Sequence, residues 1–76
     1  MKLGTKIKRL RVARNYTQEE LADRCDLSRS FISQLESDKV SPSVETLERI
    51  LRVLGTDLQH FFSDETKKII FKKTER

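Results

Sequence analysis

Apolar residues recur three or four positions apart along most of this chain, which is the spacing of helices that bury one face. Residues that start and stop helices divide the pattern into separate segments. The predicted helices cover about 3–14, 18–25, 29–37 and 43–54, with a short fifth helix after Asp57. Their predicted buried positions include Leu3, Ile7, Leu10, Leu21, Ala22, Cys25, Val44, Leu47, Ile50, Leu51 and Leu54. The pattern therefore predicts an all-α domain of five helices over residues 1–62.

Residues 63–76 differ in character from this helical part. Ile69, Ile70 and Phe71 form an apolar, β-prone triplet between two pairs of lysines. Such a segment can be an added strand, a strand that pairs with a second copy, or a disordered basic arm. Because an apolar triplet argues against plain disorder, we expect a strand in a separate C-terminal tail that serves as a dimerisation arm or a linker.

Two short helices joined by a tight corner are predicted over residues 17–36. Thr17 and Glu20 have the spacing of a capping box, and Ser28 is suited to be the N-cap of the second of these helices. Asp26 falls where the first of them ends, a position that often requires a left-handed backbone. A corner of this kind places a helix in the major groove of DNA in many small proteins.

The helix after the corner has one polar side with no evident partner inside the protein. With an advance of about 100° per residue, that side carries Arg29, Ser30, Ser33, Gln34 and Ser37. Serine forms helices less well than the Glu, Lys and Ala that are usual on solvated surfaces. The serines therefore indicate short hydrogen-bonding side chains that allow a ligand to approach closely, although a face that is merely solvated has the same polarity.

One arginine of the first helix is predicted to face the core. Arg11 follows Leu10 and lies eight positions after Leu3, so the helical repeat turns it inward. A core-facing arginine needs a partner, and Glu36, on the edge of the buried side of the third helix, is the best candidate. We expect an Arg11–Glu36 ion pair that joins these helices.

The net charge of +4 is unevenly distributed along the chain. Residues 1–39 hold nine Lys or Arg and six acids, residues 40–66 hold two and five, and residues 67–76 hold five and one. The first fourteen residues contain six basic residues and no acid. A basic N-terminal half and a basic tail on either side of an acidic middle favour a polarised surface suited to phosphates.

Several classes of protein are disfavoured by the composition. No run of about 18 apolar residues can span a membrane, and no secretory signal is expected. Cys25 is the single cysteine, which excludes an internal disulfide and fits a cytoplasmic setting. The sequence offers no paired acids, Cys–His arrangement or glycine-rich phosphate loop, so we expect neither an enzyme nor a metal or other cofactor.

Two adjacent phenylalanines, Phe61 and Phe62, end the helical part. Neighbouring helix positions differ by about 100°, so the two rings cannot enter one small core equally well. We therefore expect an apolar surface for a homodimer in this region. The residues predicted for dimerisation are Phe61, Phe62, Ile69, Ile70 and Phe71.

The order of these pieces resembles the Cro/C1-type helix-turn-helix family, also called the xenobiotic response element family, which includes phage repressors. The matching positions are 7–11, 17–22, 28–36, 39 and 41–55. The resemblance covers about residues 3–62 and implies a phage-repressor-like domain of five helices with the third in the major groove. The tail resembles the junction in two-domain members, where a strand leads into a sensor domain. Two expectations therefore stay open: a short regulator that is complete, or a DNA-binding fragment with a C-terminal sensor beyond it.

The resemblance also implies roles for individual residues. Gln18 matches the phosphate-clamping glutamine and stands in a first helical turn, beside free backbone N–H groups. The family commonly has glycine in the corner and after the third helix, where this chain has Asp26 and Asp38, and an acid at Asp38 lies near the expected phosphate path. The expected DNA contacts are Thr17, Gln18, Ser28, Arg29, Ser30, Phe31, Ser33, Gln34, Ser37 and Lys39.

The leading functional hypothesis is a sequence-specific transcriptional regulator, with repression as the expected mode. It would bind a palindromic operator in double-stranded DNA as a homodimer. The alternative is a protein-interaction module of the same fold, of the antitoxin or bridging-coactivator type. Salt-sensitive binding to a palindromic duplex separates the two hypotheses, because a pure interaction module would show none.

Overall fold

The computed structural model describes residues 3–63, and the regular structure in that range is helical. The helices are α1 (Leu3–Ala13), α2 (Gln18–Cys25), α3 (Arg29–Glu36), α4 (Val44–Val53) and α5 (Leu58–Phe61). The predicted all-α architecture is therefore confirmed. The predicted tail strand, with Ile69, Ile70 and Phe71, lies outside the described residues.

Helix boundaries follow the capping residues that the sequence provides. Thr17 and Glu20 form both bonds of the capping box: Thr17 Oγ1 accepts from the Glu20 backbone N–H at 3.0 Å, and Glu20 Oε1 accepts from the Thr17 N–H at 2.8 Å. Ser28, Ser43 and Asp57 are the N-caps of α3, α4 and α5. In α5, the hydrogen bond from the His60 backbone N–H lowers the pKa of the Asp57 carboxyl.

Left-handed backbone conformations occur where helices end. Asn15 follows α1 with φ 61°, Asp26 follows α2 with φ 60°, and Gly55 follows α4 with φ 82°. These conformations direct backbone N–H groups onto the last carbonyls of the preceding helix. Asparagine, aspartate and glycine tolerate them best, which is why the sequence predicted the ends of these helices well.

The core lies where the helices meet, because α3 packs against both α1 and α2, α2 packs against α4, and α4 packs against α5. Isoleucine and leucine side chains fill most of it, together with one cysteine and one phenylalanine. The buried apolar residues are Ile7, Leu21, Ala22, Cys25, Ile32, Leu35, Leu47, Ile50, Leu51, Leu54 and Phe61. One side of α3 is thus held by two other helices, and the opposite side is left available.

The sequence prediction of a buried Val44 is wrong. Val44 is the first residue of α4, and 67% of it is exposed. Helical periodicity gives the direction of a side chain but not how far the neighbouring helices extend. The buried stripe of α4 begins one turn later, at Leu47.

The part of the chain that the structure describes shows neither a membrane span nor a metal cluster. No helix between residues 3 and 63 combines the length and apolarity needed to cross a bilayer. Within the same range, His, Cys, Asp and Glu residues do not gather into a group of metal ligands. Cys25 is fully buried, and burial raises the pKa of its thiol, as expected of a core residue.

Candidate nucleic-acid interface

The corner between α2 and α3 is closed by backbone hydrogen bonds. Asp26, in its left-handed conformation, directs its N–H toward the carbonyls of Ala22 and Asp23. The Leu27 N–H donates to the Ala22 carbonyl at 2.8 Å. Ser28 is already the N-cap of α3, so the chain turns from one helix into the next within three residues. The short connection holds the two helices in one arrangement, as recognition by a helix-turn-helix requires.

The two sides of α3 differ completely in burial. Ile32 and Leu35 are enclosed by the core, with 0% and 1% exposure. Arg29, Ser30 and Gln34 are exposed on the other side. These three and the half-buried Ser33 line a shallow concavity on the surface, which we call the reading face (Arg29, Ser30, Ser33 and Gln34). The structure therefore brings together four of the residues that the resemblance assigns to DNA contacts.

Hydrogen bonding on the reading face is sparse. The Gln34 Nε2 donates to Ser30 Oγ over 3.4 Å, a long contact along the helix surface. Arg29 takes part in no ion pair within residues 3–63. Arg29 is exposed, and the five N–H donors of a guanidinium are suited to planar acceptor pairs. Apart from the long Gln34–Ser30 contact, the reading face can therefore donate to an outside ligand without first breaking a hydrogen bond within the described residues.

Residues at the rim of this face contribute to helix capping. Ser28 Oγ accepts from the Phe31 backbone N–H at 3.0 Å, and Thr17 caps α2 in the same way. A capping hydroxyl still has its own O–H to donate. Phe31 is half-buried and packs against the core, so only part of its ring faces outward. Ser37 and Lys39 are exposed just beyond the end of α3.

The expected ion pair is present behind the reading face. Arg11 Nε lies 2.7 Å from Glu36 Oε2, and Arg11 Nη2 lies 3.1 Å from Glu36 Oε1. Arg11 Nη1 also donates to the Tyr16 carbonyl at 2.7 Å. Both charged side chains are largely buried, with 11% and 3% exposure. A bidentate pair of this kind joins α1 to the end of α3 in a defined geometry.

Gln18 is tied to this ion pair, which the sequence analysis did not foresee. Its Nε2 donates to Glu36 Oε1 at 3.1 Å. An amide nitrogen has two N–H groups, so one remains for an outside acceptor such as a phosphate. The Glu36 carboxylate thus sets the orientation of Gln18 at the start of α2. The helical repeat alone could not reveal this, because Gln18 and Glu36 lie on different helices.

Asp38 has a structural role that its position in the sequence did not suggest. Its backbone is left-handed, with φ 61°, and its carboxylate Oδ1 accepts from the Gly4 backbone N–H at 2.9 Å. The acid expected near the phosphate path is therefore also a cap for the first turn of α1. A glycine at position 4, within the first turn of a helix, was the only sequence signal of a close approach there.

The prediction of Phe61 as a dimerisation residue is corrected by the structure. Phe61 is buried in its own domain with 3% exposure, and Lys6 lies over its ring at 4.8 Å from the centroid. Phe62 is half-buried and packs edge-to-face on Phe61, with ring centroids 5.0 Å apart. The helical advance from one residue to the next sent one ring inward and left the other partly outside. Phe62 is the described residue of the predicted set that retains accessible surface.

Comparison with known proteins places this geometry in a family. A family model described as Helix-turn-helix matches residues 7–61. The chain is 38% identical over 66 residues to the immunity repressor protein of Bacillus phage phi105, covering 87% of this chain and 46% of that protein. It is 38% identical over 64 residues to the HTH-type transcriptional regulator PuuR of Escherichia coli K12, covering 84% and 35%. The chain thus spans less than half the length of these two relatives.

A shorter relative and two solved structures extend the comparison. The control protein C.MunI of a Mycoplasma species is 36% identical over 69 residues, covering 90% of this chain and 93% of that protein. The wild-type restriction-modification controller protein C.Esp1396I is 32% identical with a TM-score of 0.77, covering 91% of both chains. SinR, a master regulator for biofilm formation solved in complex with DNA, is 28% identical with a TM-score of 0.73, covering 79% and 97%.

These comparisons agree with the geometry of the corner, because the matched residues include all of α2, α3 and α4. The relatives and structures share regulatory names, and one of the structures holds DNA. The chain belongs to the helix-turn-helix family of Cro/C1-type DNA-binding transcriptional regulators.

Proposed function

We propose that this chain binds double-stranded DNA with sequence preference and regulates transcription by inserting α3 into the major groove. The observation that carries the proposal is the reading face, which is exposed while the opposite side of the same helix is locked in the core. A helix held from behind presents its front side chains at a constant depth and angle. Base-specific hydrogen bonds require this fixed depth and angle, because they form only within a narrow range of distances and angles.

Arg29 is the residue from which we expect the largest share of base discrimination. It is exposed at the N-terminal end of α3, where recognition helices commonly contact base edges. A guanidinium can donate two parallel hydrogen bonds to O6 and N7 of guanine, a pair worth about 1–3 kcal/mol of discrimination. Ser30, Ser33 and Gln34 are short or planar donors that would read neighbouring bases.

Contacts to phosphates would set the position of α3 along the duplex. Gln18 has one amide N–H beyond its bond to Glu36, and it stands at the N-terminus of α2 with that helix's free backbone N–H groups. Lys39 is exposed beyond the other end of α3. Phosphate donors on both sides of the reading face would clamp the backbone around it without reading sequence. The capping hydroxyls of Thr17 and Ser28 and the hydroxyl of Ser37 would add to the same rim, with the exposed edge of Phe31 against a thymine methyl.

Binding as a homodimer follows from the size of the reading face. One helix of eight residues contacts too few base pairs to be selective, so two copies on half-sites about 34 Å apart are expected. The half-buried Phe62 at the end of α5 is the described residue that we place at the dimer contact, and Ile69, Ile70 and Phe71 of the tail would extend it. Regulation by a further C-terminal domain is compatible with the two longer relatives, of which this chain spans less than half.

The names of the relatives support regulation by binding rather than catalysis. The phage relative is named an immunity repressor, which favours repression as the mode for this chain as well. Its place of action would be the compartment that holds the DNA, which for a relative of bacterial regulators is the cytoplasm. No step in this function requires a cofactor.

The direct test is selection of binding sites from a random duplex library at two salt concentrations. We expect an enriched palindromic sequence, with affinity that falls steeply as salt rises because phosphate contacts release counterions. Sedimentation of the complex should give two protein chains per duplex. Absence of any enriched sequence would contradict the proposal and favour a protein-interaction module, and enrichment without salt dependence would contradict the phosphate clamp.

A further inference from the structure

The end of α3 and the beginning of α1 are joined by two contacts that DNA binding, as proposed above, does not use. Asp38 Oδ1 accepts from the Gly4 N–H at 2.9 Å, across 34 positions of sequence. Gly4 is buried, and a Cβ there would lie 2.5 Å from the backbone oxygens of both Leu35 and Glu36. Only glycine lets the two backbones approach this closely. The first turn of α1 therefore rests directly on the last turn of α3.

The Asp38 side chain has a physical reason to remain in this contact. Its left-handed backbone is unfavourable for a residue with a side chain, although aspartate tolerates it better than most. The carboxylate gains a charge-assisted hydrogen bond at the positive end of α1, and such a cap stabilises a helix start. The interaction at α1 thus offsets the backbone strain at the end of α3. A glycine at position 38 would remove the strain and lose the link as well.

We infer that Asp38 is a positioning residue for DNA recognition, which holds the C-terminal end of α3 against α1 and so sets the angle of the reading face. The inference rests on the proposed function. Hydrogen bonds to base edges weaken steeply when the donor is displaced, whereas phosphate contacts tolerate small shifts. Loosening the Asp38–Gly4 contact therefore reduces the preference for the best site more than it reduces the affinity for any duplex.

Asp26 provides a matched control within the same molecule. It is also an exposed aspartate with a left-handed backbone, φ 60°, and it lies at the other end of α3. Within residues 3–63, its carboxylate accepts no hydrogen bond, whereas that of Asp38 does. Substitution of Asp26 changes the charge and the backbone strain near α3 without breaking a link to α1.

The experiment compares the parent chain with Asp38→Gly, Asp38→Asn and Asp26→Gly. For each, the dissociation constants for the selected duplex and for an unrelated duplex are measured, and their ratio is taken as the preference. Asp38→Gly should lower the preference about fivefold, because a displaced reading face loses part of the discrimination that one bidentate base contact provides. Asp38→Asn keeps a carbonyl oxygen that can accept from Gly4, so it should stay within about twofold of the parent.

A purely structural role gives a different result from a positioning role. Partial unfolding would weaken binding to both duplexes alike and leave the preference unchanged. Asp26→Gly should likewise change both affinities together, because it removes a charge but no link between helices. An unchanged preference in Asp38→Gly, or an equal loss in Asp26→Gly, would overturn the inference.

Amide exchange at Gly4 is a second test that needs no DNA. In the parent, the Gly4 N–H should exchange more slowly than the other first-turn amides of α1, and Asp38→Gly should remove that protection. An unprotected Gly4 amide in the parent would overturn the inference by itself. A parent that enriches no duplex means that the proposed function has failed, and the inference with it. A parent that selects a site while Asp38→Gly keeps the preference means that only the role of Asp38 has failed.

Discussion

The two ends of α3 are held in different ways. At the N-terminal end, α3 is capped by its own Ser28, and Arg29 and Ser30 stand exposed. At the C-terminal end, Glu36 is bonded to α1 and α2, and Asp38 is bonded to the first turn of α1. The domain thus anchors the helix at one end and leaves the donors at the other end to an outside ligand.

Arg11, which is bonded to the C-terminal end of α3, and Arg29, at its N-terminal end, show the energetic consequence of this difference. Arg11 is 9% exposed and donates to both Glu36 and Tyr16, because a charge removed from water must have its hydrogen bonds satisfied inside. Arg29 keeps its hydration and its free donors. Removing the partners of Arg11 should therefore reduce the stability of the fold, and removing the Arg29 side chain should reduce recognition of DNA.

The largest effect is expected from Glu36→Ala, which breaks the anchored end. It leaves Arg11 buried with only the Tyr16 carbonyl as a partner and frees Gln18, so the free energy of unfolding should fall by about 3 kcal/mol. Chemical denaturation measures this. Glu48→Ala, an exposed acid on α4, is the control and should change stability by less than about 0.5 kcal/mol. Equal stability of the two variants would show that the ion pair is not important for the fold.

Arg29→Ala tests the free N-terminal end of α3 and should impair DNA recognition rather than the stability of the fold. We expect discrimination between the selected site and its variants to drop by about 1–3 kcal/mol, because the guanine-reading fork is lost. Thermal stability should stay close to that of the parent, since Arg29 is exposed. Binding competition with single-base variants of the site measures the discrimination. Full retention of sequence preference would contradict direct readout by Arg29.

Gly4→Ala sharpens the comparison by acting on the backbone contact beneath the anchored end. A Cβ would come within 2.5 Å of the Leu35 and Glu36 carbonyl oxygens, so α1 and α3 must separate. We expect a net loss of about 1–2 kcal/mol in unfolding free energy, because overpacking outweighs the better helix propensity of alanine. Thr5→Ala, exposed in the same turn, is the control for denaturation. A Gly4→Ala variant as stable as Thr5→Ala would contradict the close approach.

The smallest effect is expected from Lys39→Ala, at the rim. It should weaken binding to all duplexes similarly and lower the slope of log affinity against log salt by about one. A salt titration with selected and unrelated duplexes measures the slope. Glu45→Gln, at an exposed position in the first turn of α4, changes the net charge by one unit in the opposite direction and is the comparison. A loss for the selected site alone would mean that Lys39 reads sequence.

The corner was the part of the fold that could be predicted most closely. Thr17, Ser28 and Asp26 act through bonds to residues three or four positions away, so their effect is visible in the sequence alone. The inward direction of Arg11 followed from the helical repeat, and Glu36 was the one acid at the edge of the facing stripe. Capping and the helical repeat are both short-range patterns, and the ion-pair prediction combined the repeats of two helices. The structure brings the predicted partners, Arg11 and Glu36, into contact.

Contacts between helices set the limit of such prediction. Val44 fits the apolar stripe but lies beyond the core, and Phe61, assigned to a partner surface, is enclosed by its own domain. The bonds from Gln18 to Glu36 and from Asp38 to Gly4 join residues 18 and 34 positions apart. No periodicity encodes them, because they depend on how closely the helices pack.

By itself, the sequence determined where the helices of this domain begin and end and which side of α3 is polar, since capping and periodicity are short-range properties of the chain. Only the tertiary structure decided which polar groups remain available to DNA. Packing enclosed Arg11 and Glu36, engaged one N–H of Gln18 and the carboxylate of Asp38, and left Arg29 free. A polar side chain can satisfy its hydrogen bonds inside or outside the protein, and that choice depends on neighbours that are distant in sequence.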